Sequence, residues 1–238
     1  MYVGMNYIDG DFCRHRPDFS SRNPSTEEEI GLFPSSTSEE VAEAVAAALR
    51  AFPKWRDLSR AKRVEYFDKL SQLVKRDFDK IVKTISLETG KNKNEGMAEV
   101  DEALHILQSV ECDGYVFRKP KGAVAIIAPW NFPFAIGGAY CIAPALVDGN
   151  TVVYKPSEDT AMTGQVIAEL YNEAGFPPGV FNLIHGNGEV GHALVLDNVD
   201  HICFTGTAEG GRSICRVCAD SRRKTCDVIV RSGKRWSL

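Results

Sequence analysis

The stretch "GAVAIIAPWNFPFAIGGAYCIAPALVDGNTVVYKPS", residues 122–157, decides the fold of this chain. It opens with a short β-branched apolar run, continues through a helix-like segment at Phe134–Val147, and closes with a second such run, "NTVVYKPS". Short, nearly continuous apolar strands joined by a helix are typical of parallel sheets that are buried on both faces. The stretch therefore predicts a β-α-β unit.

The same alternation continues along the rest of the chain. Further apolar runs are "VFNLIHG" at 180–186, "HICFTG" at 201–206 and "KTCDVIV" at 224–230, and the helix-like segments among them are Thr160–Ala174, Glu189–Leu196 and Ala208–Ala219. Strands that alternate with helices predict an α/β fold, a Rossmann-like parallel sheet with helices on both faces. Ligands of such sheets bind beyond the carboxyl ends of the strands. The loops "APWNFP", "KPSE", "HGNGEVG" and "FTGT" are all predicted to lie at that edge.

One of these loops contains Gly186-x-Gly188-x-x-Gly191, the spacing of a dinucleotide-binding turn. It follows a predicted strand and precedes a helix, as that motif should. However, two β-α units come before it, and the acidic residue expected about 20 positions later is matched only by Glu209, in a turn–helix junction. In a chain with 20 Gly, this spacing also arises by chance. We therefore predict a site built from several strand ends rather than an ordinary Rossmann fingerprint.

The first part of the chain has a different pattern, a hairpin followed by helices. The signals are an Asp9-Gly10 turn, a Thr37/Glu40 capping box, a Ser59 cap for a helix that runs to about Glu88, a Gly90 stop, and a last helix over "GMAEVDEALHILQSV". We divide the chain into a hairpin and helical part of the cofactor domain at 1–118, a parallel α/β part at 119–230, and an atypical tail at 231–238.

Composition narrows the class of protein. The 238 residues carry a net charge of −4, which gives no general reason to expect nucleic acid or an anionic membrane as partner. No apolar run approaches the roughly 20 residues of a membrane span, and Met1–Asp11 lacks the order of a signal peptide. The seven cysteines are irregularly spaced, which indicates reduced thiols in a cytoplasmic protein. The five histidines form no cluster with metal-ligand spacing.

The joint order of PWNFP, KPSE, GxGxxG and FTG resembles the cofactor-binding half of the aldehyde dehydrogenase superfamily. The similarity covers most of Val3–Lys224 and includes the N-terminal "NPSTEEEIG" and "LETGK". It implies the oxidation of a small-molecule aldehyde to a carboxylic acid, with NAD rather than NADP as the expected hydride acceptor, in a homo-oligomeric family.

The resemblance also implies roles for individual residues. The side-chain amide of Asn131 is expected to stabilise charge on the aldehyde-derived oxygen. Lys155 and Glu158 are expected to hydrogen-bond the adenosine ribose, and the carboxylate would repel a 2′-phosphate. The helix N-terminus at Thr207 is expected to seat the pyrophosphate, and Gly188 would let the adenine approach the backbone. The full set of expected cofactor-binding residues is Ile127, Ala128, Pro129, Trp130, Lys155, Pro156, Ser157, Glu158, Gly188, Phe204, Thr205, Gly206, Thr207 and Gly210.

Structural alternatives stay open for the same residues. Lys155 and Glu158 also fit an exposed ion pair. Trp130 and Phe132 also fit the hydrophobic core, and Asn131 also fits the start of a turn before a proline.

The family's chemistry needs a cysteine nucleophile and a glutamate base, which are expected after the stretch described above. Here the chain reads "DVIVRSGKRWSL", without that glutamate. Cys141 and Cys203 lie in apolar runs where thiols are usually inert, and Cys215-x-x-Cys218 lies within a helix pattern. We therefore expect an incomplete chain that lacks the catalytic domain and is inactive by itself.

Assembly is also expected to differ from the family. The connection Gln108–Arg118 is too short for the family's oligomerisation hairpin, so assembly is expected to be impaired or dependent on a partner. Two other hypotheses stay open: a non-catalytic nucleotide-binding or regulatory fragment that associates with full-length protomers, and a chain without a stable fold.

Overall fold

The computed structural model describes residues 2–109, 119–221 and 224–230. The strands in these ranges are β1 (Tyr2–Val3), β2 (Asn6–Ile8), β3 (Asp11–Cys13), β4 (Phe19–Arg22), β5 (Glu29–Phe33), β6 (Ala123–Ile127), β7 (Thr151–Lys155), β8 (Phe181–Leu183), β9 (His201–Gly206) and β10 (Thr225–Val230). The α-helices are α1 (Ser38–Arg56), α2 (Arg60–Arg76), α3 (Phe78–Thr89), α4 (Lys93–Ser109), α5 (Ile142–Val147), α6 (Ala161–Glu173), α7 (Gly188–Leu196) and α8 (Ala208–Asp220). A π-helical segment, Pro133–Cys141, leads into α5, and a 3₁₀ turn, Glu158–Thr160, leads into α6.

The main sheet has the strand order β10-β9-β6-β7-β8-β2-β3 over the described residues. Every neighbouring pair from β10 to β8 is parallel, which confirms the predicted parallel sheet. The predicted hairpin also forms, as β2 and β3 around Asp9 and Gly10, whose φ angles of 52° and 93° suit a tight turn. The hairpin continues the same sheet, because β2 pairs antiparallel with β8. Strands β1, β5 and β4 form a second, smaller sheet in that order.

The path of the chain through the sheet creates a crevice. The chain runs outward from β6 to β7 and β8, then returns to place β9 on the other side of β6. The loops that leave β6 and β9 therefore diverge at their carboxyl ends. This topological switch point is where ligands of open parallel sheets bind.

Both faces of the sheet are buried, because successive strand residues point to opposite sides. On β6, Val124 and Ile126 belong to one hydrophobic cluster, which contains residues of α2 to α6. Ala123 and Ala125 belong to the other, which contains residues of α1, α7 and α8. Helices therefore cover both faces, as the uninterrupted apolar strands predict.

Helix boundaries follow the sequence signals with two differences. The capping box of Thr37 and Glu40 is present, and Gly90 ends α3 with a φ of 73°. The helix predicted from Ser59 to about Glu88 is instead two helices that meet at Asp77. Its amphipathic pattern continues through the break because α2 and α3 both pack against α4. The last N-terminal helix begins at Lys93, three residues before the predicted start.

The segment that follows β6 was predicted as one helix, Phe134–Val147, and is π-helical up to Cys141. Its backbone lies close to the sheet: a Cβ atom on Gly137 would lie 2.3 Å from the hydroxyl oxygen of Tyr154. The small residues of "AIGGA" permit this approach. Most of the Gln108–Arg118 connection and the whole 231–238 tail fall outside the described residues, so their predictions stay open.

Candidate functional site

The loops that follow β6, β7 and β9 leave the sheet at the same level. Ile127 pairs in register with Lys155 of β7 and with Phe204 of β9. The amide of Ala128 donates to the Lys155 carbonyl at 3.2 Å, which fixes the start of the first loop against the second. The predicted site residues of these three loops therefore lie side by side across the switch point.

The first loop, Ala128–Phe132, presents an exposed tryptophan and a partly buried asparagine. Trp130 is 49% exposed, so the interpretation of this residue as core is wrong. Pro129, Asn131 and Phe132 are partly buried. The Oδ1 atom of Asn131 is buried and has no hydrogen-bond partner among the described residues. A buried amide oxygen without a partner is uncommon, and a catalytic role is one of its physical explanations.

A buried carboxylate, which the sequence did not single out, anchors the end of this loop. Oε1 of Glu99 accepts hydrogen bonds from the amides of Phe134 at 2.8 Å and Ala135 at 3.2 Å. Its Oε2 atom lies 2.5 Å from Nζ of Lys91, and the Lys91 ammonium lies 3.9 Å from the centroid of the Phe132 ring. The sequence signal that could have identified Glu99 is its position. It lies four residues before Ala103, on the buried face of α4.

The second loop, after β7, is organised by Lys155. This side chain is buried, at 3% exposure, so the exposed ion pair expected as an alternative is wrong for Lys155. Its Nζ donates to the carbonyls of Pro156 and Gly186, both at 2.6 Å, and lies 3.7 Å from Oε2 of the half-exposed Glu158. Burial lowers the pKa of Lys155 to about 8, and the carboxylate of Glu158 opposes that shift. Ser157 caps the 3₁₀ turn in which Glu158 lies.

The glycine turn lies farther away, after β8, which β7 separates from β6. Gly186 has a φ of 144°, and a Cβ atom there would lie 2.3 Å from Val190. Gly188 is exposed, begins α7 behind its cap Asn187, and has open space where a Cβ would be. A Cβ on Gly191 would lie 3.4 Å from Lys155. The three glycines thus have different roles, and none of them lies at the switch point.

The third loop, after β9, opens helix α8. The hydroxyl of Thr207 accepts from the Gly210 amide at 3.1 Å and caps the helix. Gly206 and Gly210 both lie against the ring of Phe204. Oγ1 of Thr205 is buried and has no partner among the described residues. The arrangement leaves a capped helix N-terminus beside the crevice, the geometry that favours binding of an anion.

The cysteines of the described residues differ in burial and in pKa. Cys141 and Cys203 are partly buried and hydrogen-bonded to each other. This bond, followed by burial, raises the pKa of Cys141, and the same bond lowers the pKa of Cys203. Cys215 is exposed and its pKa is raised, whereas Cys218 is buried. The described ranges contain no group of three or more His, Cys, Asp or Glu residues that could hold a metal ion. No helix in the described part of the chain is long and apolar enough to cross a membrane.

Comparisons of the sequence with known proteins match it to a single family. A model of the aldehyde dehydrogenase family matches residues 13–228. Betaine aldehyde dehydrogenase of Bacillus subtilis (strain 168) is 34% identical over 241 residues, which cover 92% of this chain and 49% of the relative. NADP-dependent glyceraldehyde-3-phosphate dehydrogenase of Streptococcus equinus is 33% identical over 233 residues, which cover 88% and 49%.

Solved structures give the same result. 1-Pyrroline-5-carboxylate dehydrogenase from Thermus with bound NAD superposes with a TM-score of 0.90 at 31% identity, covering 96% of this chain and 49% of that one. The chain therefore spans about half the length of the relatives that it matches.

Proposed function

Because the chain belongs to the aldehyde dehydrogenase family, we propose that its strand-end loops bind the nicotinamide dinucleotide used in NAD-dependent aldehyde oxidation. The observation that carries this proposal is that the loops after β6, β7 and β9 start side by side, next to the switch point. When bound, NAD supplies the hydride acceptor.

The adenosine ribose is assigned to Lys155 and Glu158. An ammonium has three donors, and two of those on Lys155 are used by the carbonyls of Pro156 and Gly186. These bonds hold the side chain in one orientation and leave one donor for Glu158 or a ribose hydroxyl. The half-exposed carboxylate of Glu158 can accept from ribose hydroxyls. The pair therefore fits a ribose between a buried cation and an accessible anion.

The pyrophosphate is assigned to the N-terminus of α8. Thr207 uses its own hydroxyl to cap the Gly210 amide, and the earlier amides of the helix remain to bind phosphate oxygens. This helix has 13 residues, long enough for a helix dipole to favour an anion at its start.

Asn131 is assigned to stabilise charge on the aldehyde-derived oxygen. Its Oδ1 atom is buried and has no partner among the residues that the structure describes. The same side chain carries an amide nitrogen with two N–H donors, which can donate to a substrate oxygen. A positioned donor of this kind commonly contributes about two to three powers of ten in rate. The thiol and general base that the resemblance expects are not among the residues assigned here. We therefore propose that the 238-residue chain, tested alone, binds cofactor but oxidises no aldehyde.

The cofactor preference is proposed as NAD. A carboxylate at the position of Glu158 repels a 2′-phosphate, which disfavours NADP. The name of the Streptococcus equinus relative includes NADP, so both cofactors occur among similar proteins. The small-molecule aldehyde, the cytoplasmic location and the homo-oligomeric state expected from the sequence stay predictions.

A second candidate function is a non-catalytic fragment that associates with full-length protomers. The observation that favours it is that β10 lies at the end of the main sheet over the described residues, with Ile229 56% exposed. An unpaired strand edge is a template for pairing with another chain. Co-purification with a full-length relative would distinguish this function from cofactor binding alone.

The proposal is tested by calorimetric titration of NAD into the 238-residue chain and two lysine variants. We expect Lys155→Ala to bind NAD about ten-fold or more weakly, since hydrogen bonds to charged groups are worth about 1.5–3 kcal/mol. Lys62→Ala is the matched control, because Lys62 is an exposed residue near the start of α2 and pairs with Glu65. Equal affinities for wild type and Lys155→Ala would remove the ribose contact. A folded wild type without NAD binding would reject the proposal as a whole.

A further inference from the structure

We propose that Glu99 is a positioning residue for the oxyanion-binding amide, with Lys91 as its counter-ion. The inference rests on the proposed function only in the role given to Asn131. Glu99 and Lys91 belong to α4 and to the turn before it, outside the strand-end loops that the sequence identified.

Glu99 ties down the chain directly after the asparagine. Its side chain has no exposed surface. One carboxylate oxygen accepts from two successive amides, Phe134 at 2.8 Å and Ala135 at 3.2 Å, at the start of the π-helical segment. Hydrogen bonds to an ionised acceptor are about twice as strong as neutral ones. The end of the loop is therefore fixed to α4 through Glu99.

Lys91 connects the same carboxylate to the ring of Phe132, the residue that follows the asparagine. Its Nζ atom lies 2.5 Å from Oε2 of Glu99 and 3.9 Å from the ring centroid of Phe132. A cation over an aromatic face at this distance is attracted to the ring. Glu99 thus acts on the loop at two points, through the backbone after Phe132 and through the ring of Phe132 itself.

The asparagine depends on this external support. Oδ1 of Asn131 has no hydrogen-bond partner among the described residues, so it accepts no bond that would orient the amide. The direction of its nitrogen then follows from the backbone of residues 131–135. A donor must lie within about half an ångström of its productive position to stabilise a developing charge. Glu99 holds the second half of that backbone, through the amides of Phe134 and Ala135.

The experiment follows the loop by NMR in chains labelled with ¹⁵N at asparagine and tryptophan. The probes are the side-chain amide of Asn131 and the indole N–H of Trp130, assigned with Asn131→Ser and Trp130→Phe. The variants are Glu99→Gln, which keeps an acceptor but removes the charge, and Glu99→Leu with Lys91→Met, which removes both charges together. The double variant leaves no unpaired buried charge, so it keeps the test available if the single variant fails to fold.

We expect both probes to shift in Glu99→Gln and to shift further or broaden in the double variant, while the remaining asparagine signals keep their positions. In separate samples labelled with ¹⁵N at phenylalanine and alanine, exchange protection of the Phe134 and Ala135 amides should fall roughly ten- to hundred-fold in the double variant. The matched control is Glu102→Gln, an exposed residue of the same helix whose carboxylate accepts from Tyr140. It should leave both probes unchanged.

Unchanged Asn131 and Trp130 signals in folded Glu99 variants would overturn the inference, even if protection of the two amides fell. A parallel NAD titration separates the two proposals. Wild type that fails to bind NAD, with probes that still move in the Glu99 variants, would reject the proposed function and keep the positioning role. Normal NAD binding with unmoved probes would keep the proposed function and reject the positioning role.

Discussion

The Lys155 ammonium donates a hydrogen bond to the carbonyl of Gly186 at 2.6 Å, across 31 residues of chain. This bond gives the first glycine of the GxGxxG spacing a role that a Rossmann fingerprint would not predict. Gly186 adopts a φ of 144°, and its carbonyl accepts from the lysine at the end of β7. Gly191, the last glycine, lies beside the aliphatic part of the same lysine. Two glycines of the motif therefore contact Lys155, whereas the pyrophosphate is assigned to the N-terminus of α8.

The two glycines of this turn should separate stability from binding. Gly186→Ala forces an L-residue into a φ that only glycine adopts readily and places a Cβ atom 2.3 Å from Val190. We expect a loss of about 1–3 kcal/mol in the free energy of unfolding. Gly188→Ala meets no atom within 4 Å and begins α7, so it should leave stability within about 0.5 kcal/mol.

NAD binding should be sensitive to Gly188→Ala although stability is not. If the adenine approaches the backbone there, this variant weakens NAD binding at unchanged stability. Denaturant unfolding and calorimetry on the two variants check both statements. A Gly188→Ala variant that binds NAD like wild type would remove Gly188 from the site.

The carboxylate of Glu158 should set the choice between NAD and NADP. Glu158→Gln removes the charge that repels a 2′-phosphate and keeps the length of the side chain. We expect the ratio of the NADP and NAD dissociation constants to move toward NADP by about ten-fold, since one charge-assisted contact is worth about 1.4 kcal/mol or more. Glu189→Gln, an exposed residue in the first turn of α7, is the control. Tighter binding of NADP than NAD by the wild type would contradict the role given to Glu158.

The free energy of unfolding should decrease as the pH is lowered, because His185 is buried in its neutral form. Burial, followed by the positive charge of Lys155, lowers the pKa of His185 from 6.5 to about 3. Between these values the unfolded chain binds more protons than the folded chain at this residue. The contribution of neutral His185 is therefore complete above pH 6.5 and is lost as the pH falls. The loss is at most about 1.4 kcal/mol per pH unit.

Urea unfolding of wild type and His185→Gln between pH 5 and pH 7.5 measures this contribution. The variant should have a smaller slope of unfolding free energy against pH, whereas His105→Gln, an exposed residue of α4, should keep the wild-type slope. Equal slopes for wild type and His185→Gln would show that His185 does not control this dependence.

The 238-residue chain should show no aldehyde oxidation above background. Cys141 and Cys203 are partly buried, and their mutual hydrogen bond raises the pKa of Cys141 and lowers that of Cys203. The pKa of the exposed Cys215 is raised, so Cys203 is the thiol to test first. Nucleophilic and base catalysis each contribute several powers of ten in rate, so a chain without an activated thiol and a general base should have little activity. The measurement is NADH formation from small aldehydes. Activity that disappears in Cys203→Ser or Cys215→Ser would reveal a nucleophile that we have not identified.

Association through β10 should depend on its exposed edge. β10 pairs with β9 at the end of the sheet, and Ile229 is 56% exposed. An apolar edge strand promotes pairing between chains, and a lysine there opposes it. Light scattering after size exclusion should show concentration-dependent association that decreases in Ile229→Lys. Leu196→Lys, an equally exposed apolar position at the end of α7, should not change it. A monodisperse tetramer would contradict this prediction.

The sequence by itself determined the order of the elements in the α/β part, from β6 to β10. Continuous apolar runs such as "TVVYK" can be buried only in a sheet that is covered on both faces, so periodicity predicted β6 to β10 and the helices between them. Local caps such as Thr37 also determined where helices begin, since a side-chain oxygen satisfies its own neighbouring amides. These features depend on residues that are close in sequence.

Only the tertiary structure decided which distant groups meet. Glu88 and Glu99 both read as ordinary charged positions of amphipathic helices, yet both are buried and accept from the first amides of distant helical segments. In the same way, Lys155 fits an exposed ion pair in sequence and is buried in the fold. A buried charge is stable only where several donors or acceptors converge on it, and that convergence depends on packing rather than on spacing along the chain.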